Sequence, residues 1–458
     1  MRFESGNKRA LRVRPRTLVF VMVLFFGALL VGGAATMGAA FFGGPQDPGV
    51  RSGAPGAGGP VPGLTPAETA AFDDGQVAFA EVDGVAQGLG PRFNMDSCGG
   101  CHAHPAGGGS SPFTNPQVAV ATAQGAANSI PFFINVNGPV REARFPLNPD
   151  GTPDGGVHDL FTITGRSDAP GCVIAQPNFD AAAAKNNLIF RIPTPVFGAG
   201  LIEAIQDAAI VANMNANRFS KSKLGITGHP NFTGNDGTIT RFGWKAQNKS
   251  LEIFASEAYN VEQGVTNEGF PNERDETVTC VFNPTPEDHS HVDAAAPADA
   301  VSDIQKFVNF MRFLDQPTPA PPNQSTSHGR LLFNAVGCNF CHTPSLTTAV
   351  AQTAALRNKP ANLYSDLLVH NMGPGLADNV AQGAASGDEF RTAPLWGVGQ
   401  RIFFLHDGRT DDLLQAIKAH ASKGNFKFPP SEANQVIGQF LSLRDSDQQD
   451  ILNFLRSL

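Results

Sequence analysis

Apolar residues fall into a few strongly patterned stretches set in a long, polar, loop-like background. Residues 301–314 carry the clearest helical stripe. Val301, Ile304, Phe307, Val308, Phe310, Met311 and Leu314 recur on one helix face, and Pro317 stops the run. The chain ends on a second such helix, with Ser446 and Gln449 spaced as a capping box and Ile451, Leu452, Phe454, Leu455 and Leu458 on its apolar side. Shorter helices are predicted over Asp411–Ala419, with Leu413, Leu414 and Ile417 buried, and from Gly329 to Ala335. Order is predicted to begin near Thr65-Pro66, a helix-start signal. Residues 105–185 and 215–295, rich in Asn, Gly, Thr and Pro, read as irregular loops with some strand.

The N-terminal pattern is of another kind. Residues 1–16 hold six Lys or Arg and one Glu; an apolar run from Leu18 to Val31 and small residues up to Ala40 follow. Two readings stand for 1–42: a signal peptide cleaved near Ala34-Ala35 or Gly38–Ala40, or a retained membrane anchor. Both put the body outside the cytoplasm, periplasmic or exported. Residues 43–64 are Gly/Pro-rich and read as a flexible tether, and the four prolines of 316–324 as a stiff linker. These divide the chain into an N-terminal domain, 65–315, and a C-terminal domain, 325–458.

Composition adds little beyond 49 Gly and 35 Pro among 458 residues, which suits a chain wrapping a prosthetic group. A net charge of −8 excludes a basic nucleic-acid footprint and suits a basic protein partner.

The cysteines change the picture. Cys98-Gly99-Gly100-Cys101-His102 and Cys338-Asn339-Phe340-Cys341-His342 are two copies of the c-type haem attachment motif. Two thiols bind one edge of the porphyrin, and the next residue, His102 or His342, supplies an axial nitrogen. Two covalent haems, hence iron and redox work, are expected. The remaining Cys172 and Cys280 are expected to pair as a disulfide in an oxidising compartment.

An internal repeat extends the duplication. Phe190–Gly200 (FRIPTPVFGAG) resembles Phe390–Gly399 (FRTAPLWGVG), and each is followed by an L-x-[EQ]-A-I segment, 201–205 and 413–417. The fold class expected is mainly α: two cytochrome c-like haem domains, with long irregular loop insertions in the N-terminal one.

The sixth ligand decides between electron transfer and chemistry at iron. His420, on the buried face of the 411–419 helix, is the first candidate for the second haem; Met372, His370 and His406 are the others. Matching Ile205 with Ile417 places Ala208 opposite His420, so the first haem lacks a ligand there. His104, His158 and Met214 are its alternative ligands. Arg191 and Arg391 are candidates for haem propionates, with a structural role equally open. Glu203 is the candidate distal acid/base, against a solvated helix-start carboxylate. Trp244 and Trp396 either lie between haems or pack in a core.

The segments GLGPRFNMDSCGGCHAHPAGG, FRIPTPVFGAGLIEAI, RFGWKAQ, YSDLLVHNMGPGLAD, RTAPLWGVG, LHDGR and FLRSL together resemble the bacterial di-haem oxidoreductases, also labelled thiol oxidoreductases. These are relatives of di-haem cytochrome c peroxidase. The resemblance runs from Phe79 to Leu458. It implies two cytochrome c-like domains, and it places His420 where the peroxidases carry the distal ligand of their C-terminal haem. It departs in three places. The distal glutamate motif of the peroxidases is not visible here. GAGLIEAI contains no tryptophan, where the peroxidases hold one between their haems. Ile192 or Pro193 replaces an asparagine of their calcium site, so calcium has no support in the sequence.

The reading that follows is a periplasmic di-haem, peroxidase-like oxidoreductase. A small redox protein, cytochrome or cupredoxin, feeds the C-terminal haem, and the N-terminal haem meets the oxidant. Two rivals stand beside it: an electron-transfer cytochrome with both irons saturated, and an oxygenase or protein-modifying oxidase. A membrane enters only through the N-terminal segment.

Overall fold

The computed structural model describes residues 43–124, 130–154, 168–234, 236–272, 277–296, 300–349 and 351–458. The expected signal or anchor, 1–42, lies outside them, as does His158. Pro45–Leu458 is one compact unit, rich in helix with four two-stranded antiparallel sheets. No helix among the described residues is long and apolar enough to cross a membrane.

Two helix pairs organise the unit. Pro66–Ala80 packs on Asp303–Phe313, and Gln324–Ala335 packs on Asp445–Ser457. Each crossing is a backbone-to-backbone contact made at a glycine. A Cβ on Gly75 would stand 2.3 Å from Lys306 O, and one on Gly329 would stand 1.9 Å from Asp450 O. The helix ends match as well: a Cβ on Gly200 would meet Arg312 O at 1.9 Å, and one on Gly399 would meet Arg456 O at 2.2 Å. These are the closing glycines of the repeated GAG and GVG segments, and only glycine admits such approaches. Aromatic contacts fill both crossings, with Phe79–Phe310 at 4.8 Å and Phe333–Phe454 at 5.4 Å between ring centroids. The final helix begins at Asp445, one residue before the predicted capping box, and its first turn is tied by an Arg444–Asp447 ion pair.

The strands carry the repeat too. Glu142–Arg144 pairs with Ile189–Arg191, and Val369–Asn371 with Glu389–Arg391; Phe190 stands opposite Ala143, and Phe390 opposite His370.

A further correspondence was hidden in the sequence. Phe242 bridges Asn248, and Phe404 bridges Thr410, around matching turns. In each turn two residues take positive φ: Gly243 (84°) and Ala246 (52°), Leu405 (67°) and Gly408 (64°). Each turn leads to an N-cap, Ser250 or Asp412, whose side chain accepts the N–H of Ile253 or Gln415. The helices Leu251–Gln263 and Leu413–Ala419 follow. Superposing the two turns sets Ala258, not Ala208, against His420. The LIEAI segment instead continues from Gly200 into the helix Ala199–Glu203, and Ala208 belongs to the helix Asp207–Asn215. The expected pairing failed because two similar pentapeptides occupy different places in the two halves.

Leu251–Gln263 also lies inside a stretch expected to be loop. The Gly/Pro-rich tether, from Pro45 on, is laid along the body. Arg51 N–H donates to Gly399 O (2.8 Å), Thr318 N–H to Gly56 O (2.8 Å) and Val61 N–H to Phe313 O (2.7 Å). The Pro-rich stretch runs beside it, with Ala320 N–H on Ser457 O. Cys172 and Cys280 form a disulfide.

Candidate haem sites

Each Cys-x-x-Cys-His motif is wound into a tight turn, closed by His102 N–H on Cys98 O (3.0 Å) and His342 N–H on Cys338 O (2.8 Å). None of the four cysteines is taken up in a disulfide. Each histidine then spends Nδ1 on a carbonyl: His102 on Gly109 O at 2.9 Å, and His342 on Tyr364 O at 3.0 Å. This fixes the ring and leaves Nε2 for a metal. Burial holds both imidazoles below the usual histidine range, His342 at about 4, so they stay in the neutral, ligating form. Cys98, Cys101 and His102 line one cavity, and Cys338, Cys341 and His342 line another.

The second cavity has a facing histidine. His420 caps the Leu413–Ala419 helix, and its Nδ1 meets Ala416 O at 2.8 Å. Its ring centroid is 6.5 Å from that of His342. Two imidazoles binding one metal from opposite sides at about 2 Å have centroids roughly 6 Å apart, so this spacing fits a shared iron. The rivals are engaged otherwise. His370 is held by Asp366 and Glu432, each at 3.0 Å, and His406 stacks on Phe390 at 4.3 Å. Met372 also lines the cavity and packs against the cluster of Leu376, Phe390 and Phe403.

Arg391 and Arg401 are buried in the wall of this cavity. Arg391 spends one N–H on Gly243 O (2.9 Å), and the Arg401 guanidinium has no partner among the described residues. Burial pushes each down to about 10. Two buried guanidinium groups without a carboxylate fit the propionates of a haem. Arg401 was not singled out from sequence; only its burial reveals it.

In the first cavity Ala258 stands where His420 stands in the second, and no second histidine lines it among the described residues. His104 meets Gln400 O at 2.7 Å, away from the cavity, and Met214 lines a different, neighbouring one. Arg191 does reach the wall, but most of its guanidinium is taken by Asp378 (2.7 Å) and Gln382 (2.8 Å); only its buried Nε is unpartnered.

Glu203 does not line the cavity. Its carboxylate is held by Arg312 Nε at 2.8 Å and Leu251 N–H at 3.1 Å, a structural clamp. The acids of the cavity are Glu142, Glu257 and Glu262. Glu262, one helical turn beyond Ala258, accepts from Asn94 at 2.8 Å and shares a hydrogen bond with Glu142. Burial, reinforced by Glu142, pushes its carboxyl well above the usual range, so the pair holds a proton. Glu142 in turn pairs with Arg144 at 2.6 Å.

Trp244 is the one described residue that lines both cavities. Its indole N–H donates to Ile192 O at 2.9 Å, and its ring meets His406 edge-on at 6.4 Å. Trp396 packs in the apolar core against Gly198. The buried positive charge beside Trp244 comes from Lys245, bound to Ser386 O (2.9 Å), Glu389 O (2.8 Å) and Asp378 (3.1 Å).

Two haem-binding motifs in two cavities joined by one tryptophan define a di-haem redox protein. Residues 149–458 match the family described as "Di-haem oxidoreductase, putative peroxidase", and the chain belongs to that family. Haem is therefore its cofactor. No curated protein matches the chain. Among solved structures, it is similar to the diheme peroxidase BthA of Burkholderia thailandensis (15% identity, 48% of this chain and 65% of that one, TM-score 0.29). It is also similar to a MauG-like protein associated with microbial copper homeostasis (15%, 58% and 90%, TM-score 0.30). A third is the hydrazine synthase of Kuenenia stuttgartiensis (16%, 36% and 56%, TM-score 0.23). The chain spans 56% and 65% of the length of the first two matched chains.

Proposed function

We propose that the protein is an exported di-haem oxidoreductase of peroxidase type with two covalent c-type haems. The observation that carries this reading is the asymmetry between His420 and Ala258 at equivalent places. His342 and His420 would both hold the second haem, an arrangement that suits electron transfer. Ala258 offers no ligand to the first, where a bound haem would supply the redox chemistry of peroxide reduction.

The protein groups around that space have assignable tasks. Glu262, kept protonated by burial and by Glu142, gives a proton to the leaving oxygen, and the pair takes up another from the entering peroxide. The overall reaction converts one peroxide, two protons and two electrons into two waters. The electrons come from a small redox protein that docks on the C-terminal half, and Trp244 with His406 lies on their way to the first site. The disulfide supports an oxidising compartment.

The test is spectroscopic and kinetic. The purified protein should keep two haems per chain after denaturation, and carbon monoxide or cyanide should titrate one iron. It should consume hydrogen peroxide when supplied with a reduced small cytochrome. If neither ligand binds in any redox state and peroxide is not consumed, both irons are saturated and the protein is an electron carrier.

A further inference from the structure

The two halves use the same device to seat the matching helix that lines each haem cavity. In the first half, Glu203 accepts Arg312 Nε at 2.8 Å and Leu251 N–H at 3.1 Å. Arg312 ends one packed helix, and Leu251 begins the helix that carries Ala258. In the second half the equivalent residues are Arg456 and Leu413. The carboxylate that joins them is Asp47: it accepts Arg456 Nε at 2.7 Å and Leu413 N–H at 2.7 Å. Glu203 comes from its own half, next to the first repeat. Asp47 comes from the Gly/Pro-rich strap at the other end of the chain.

The Asp47–Arg456 pair is buried, with side chains 9% and 4% exposed. Arg456 also donates to Arg401 O at 2.9 Å, and its guanidinium lies over the Phe404 ring at 5.0 Å. Arg401, Phe404 and Leu413 all line the second cavity. One carboxylate therefore fixes the start of the helix that presents His420 and, through Arg456, the part of the cavity wall formed by Arg401 and Phe404. Removing it would leave a buried guanidinium uncompensated and a first-turn N–H unpaired, both costly.

We infer that Asp47 is a positioning residue for the second haem: the N-terminal strap holds the Leu413–Ala419 helix so that His420 meets the iron, and haem ligation is coupled to the strap. This rests on the assignment of His420 as ligand. Asp47 touches neither haem nor substrate; it acts through Leu413 and Arg456. The segment that would link the body to a membrane anchor, or be exposed by signal cleavage, thus braces the second haem site from outside.

The experiment uses the full chain with both haems. D47A should lose part of the low-spin signal of one haem, shift that haem's midpoint potential, and let carbon monoxide titrate more than one iron per chain. D47E should restore the wild-type spectrum, and E203A should leave the second haem untouched. If D47A does not fold, D47N supplies the reading: it keeps an acceptor for Leu413 N–H but loses the charge facing Arg456, so a smaller shift of the same haem is expected. A folded D47A or D47N with the wild-type potential and ligand stoichiometry overturns the inference. H420A separates the two levels. If it leaves the second haem low-spin, the ligand assignment fails and takes the inference with it; if it makes that haem high-spin while D47A changes nothing, only the role of Asp47 is lost.

Discussion

Trp244 and His406 occupy equivalent positions in two matching turns and meet edge-to-face, their ring centroids 6.4 Å apart. The contact is locked by backbone bonds that cross between the halves. Ile192 N–H donates to His406 O (2.8 Å), and Arg391 N–H donates to Trp244 O (2.9 Å). Each repeated FR segment therefore holds the turn of the other half. Trp244→Phe should keep the fold and both haem spectra while slowing transfer between the sites, because the phenyl ring is smaller and loses the N–H bond to Ile192 O. Stopped-flow reduction by a small cytochrome, followed at each haem separately, checks this. Unchanged transfer would remove Trp244 from the path.

Ala258 makes the second prediction. If the open side of the first haem is open only because alanine replaces histidine, Ala258→His should close it. One high-spin iron should become low-spin, and cyanide binding and peroxide consumption should fall together. An unaltered high-spin signal in the folded variant would mean that the Leu251–Gln263 helix does not face that iron as the Leu413–Ala419 helix faces the other.

Much of this was legible in the sequence, for physical reasons. The haem motifs are short, contiguous and chemically demanding, so spacing alone betrays them. The place of His420 in the wall of the second cavity, facing His342, was legible because Leu413 and Ile417 define a helix face that it shares. The Leu251–Gln263 helix was missed, although Ser250 caps it and Gly264 (φ 71°) ends it in the left-handed region. Its cavity face carries Glu257 and Glu262, which read as polar surface when the cavity is not in view. Glu203 misled for the converse reason: a carboxylate after a repeat looks functional, and only its long-range bonds to Arg312 and Leu251 show it is a clamp. Asp47 is defined by partners far away along the chain and Arg401 by its burial in the cavity wall, and no local pattern announces either.

Glu262 should behave as the acid of the first site. Glu262→Gln preserves shape and the bond from Asn94 but cannot release a proton. Peroxide turnover should drop by about 10²–10⁴-fold, the usual range for a general acid–base group, with the absorption spectrum of both haems retained. Turnover within a few-fold of wild type would shift the role to Glu257 or dismiss it.

Asp83 supplies a pH-dependent test beside the first motif. It is 6% exposed, and its Oδ2 accepts from Tyr259 Oη at 3.2 Å and Gln263 Nε2 at 3.0 Å. Burial raises its pKa from 3.8 to about 7. The folded state therefore binds more protons than the unfolded state between those values, so this group makes stability fall as pH rises from about 4 through about 7. Asp83→Asn keeps an acceptor for both bonds and removes the charge. It should leave stability near pH 4 little changed and raise it at pH 8, by at most about 4 kcal/mol from the size of the shift. Thermal unfolding of the two proteins at both pH values measures the difference. Equal melting temperatures at pH 8, or a variant less stable there than wild type, would show that Asp83 is ionised at no cost in the folded protein.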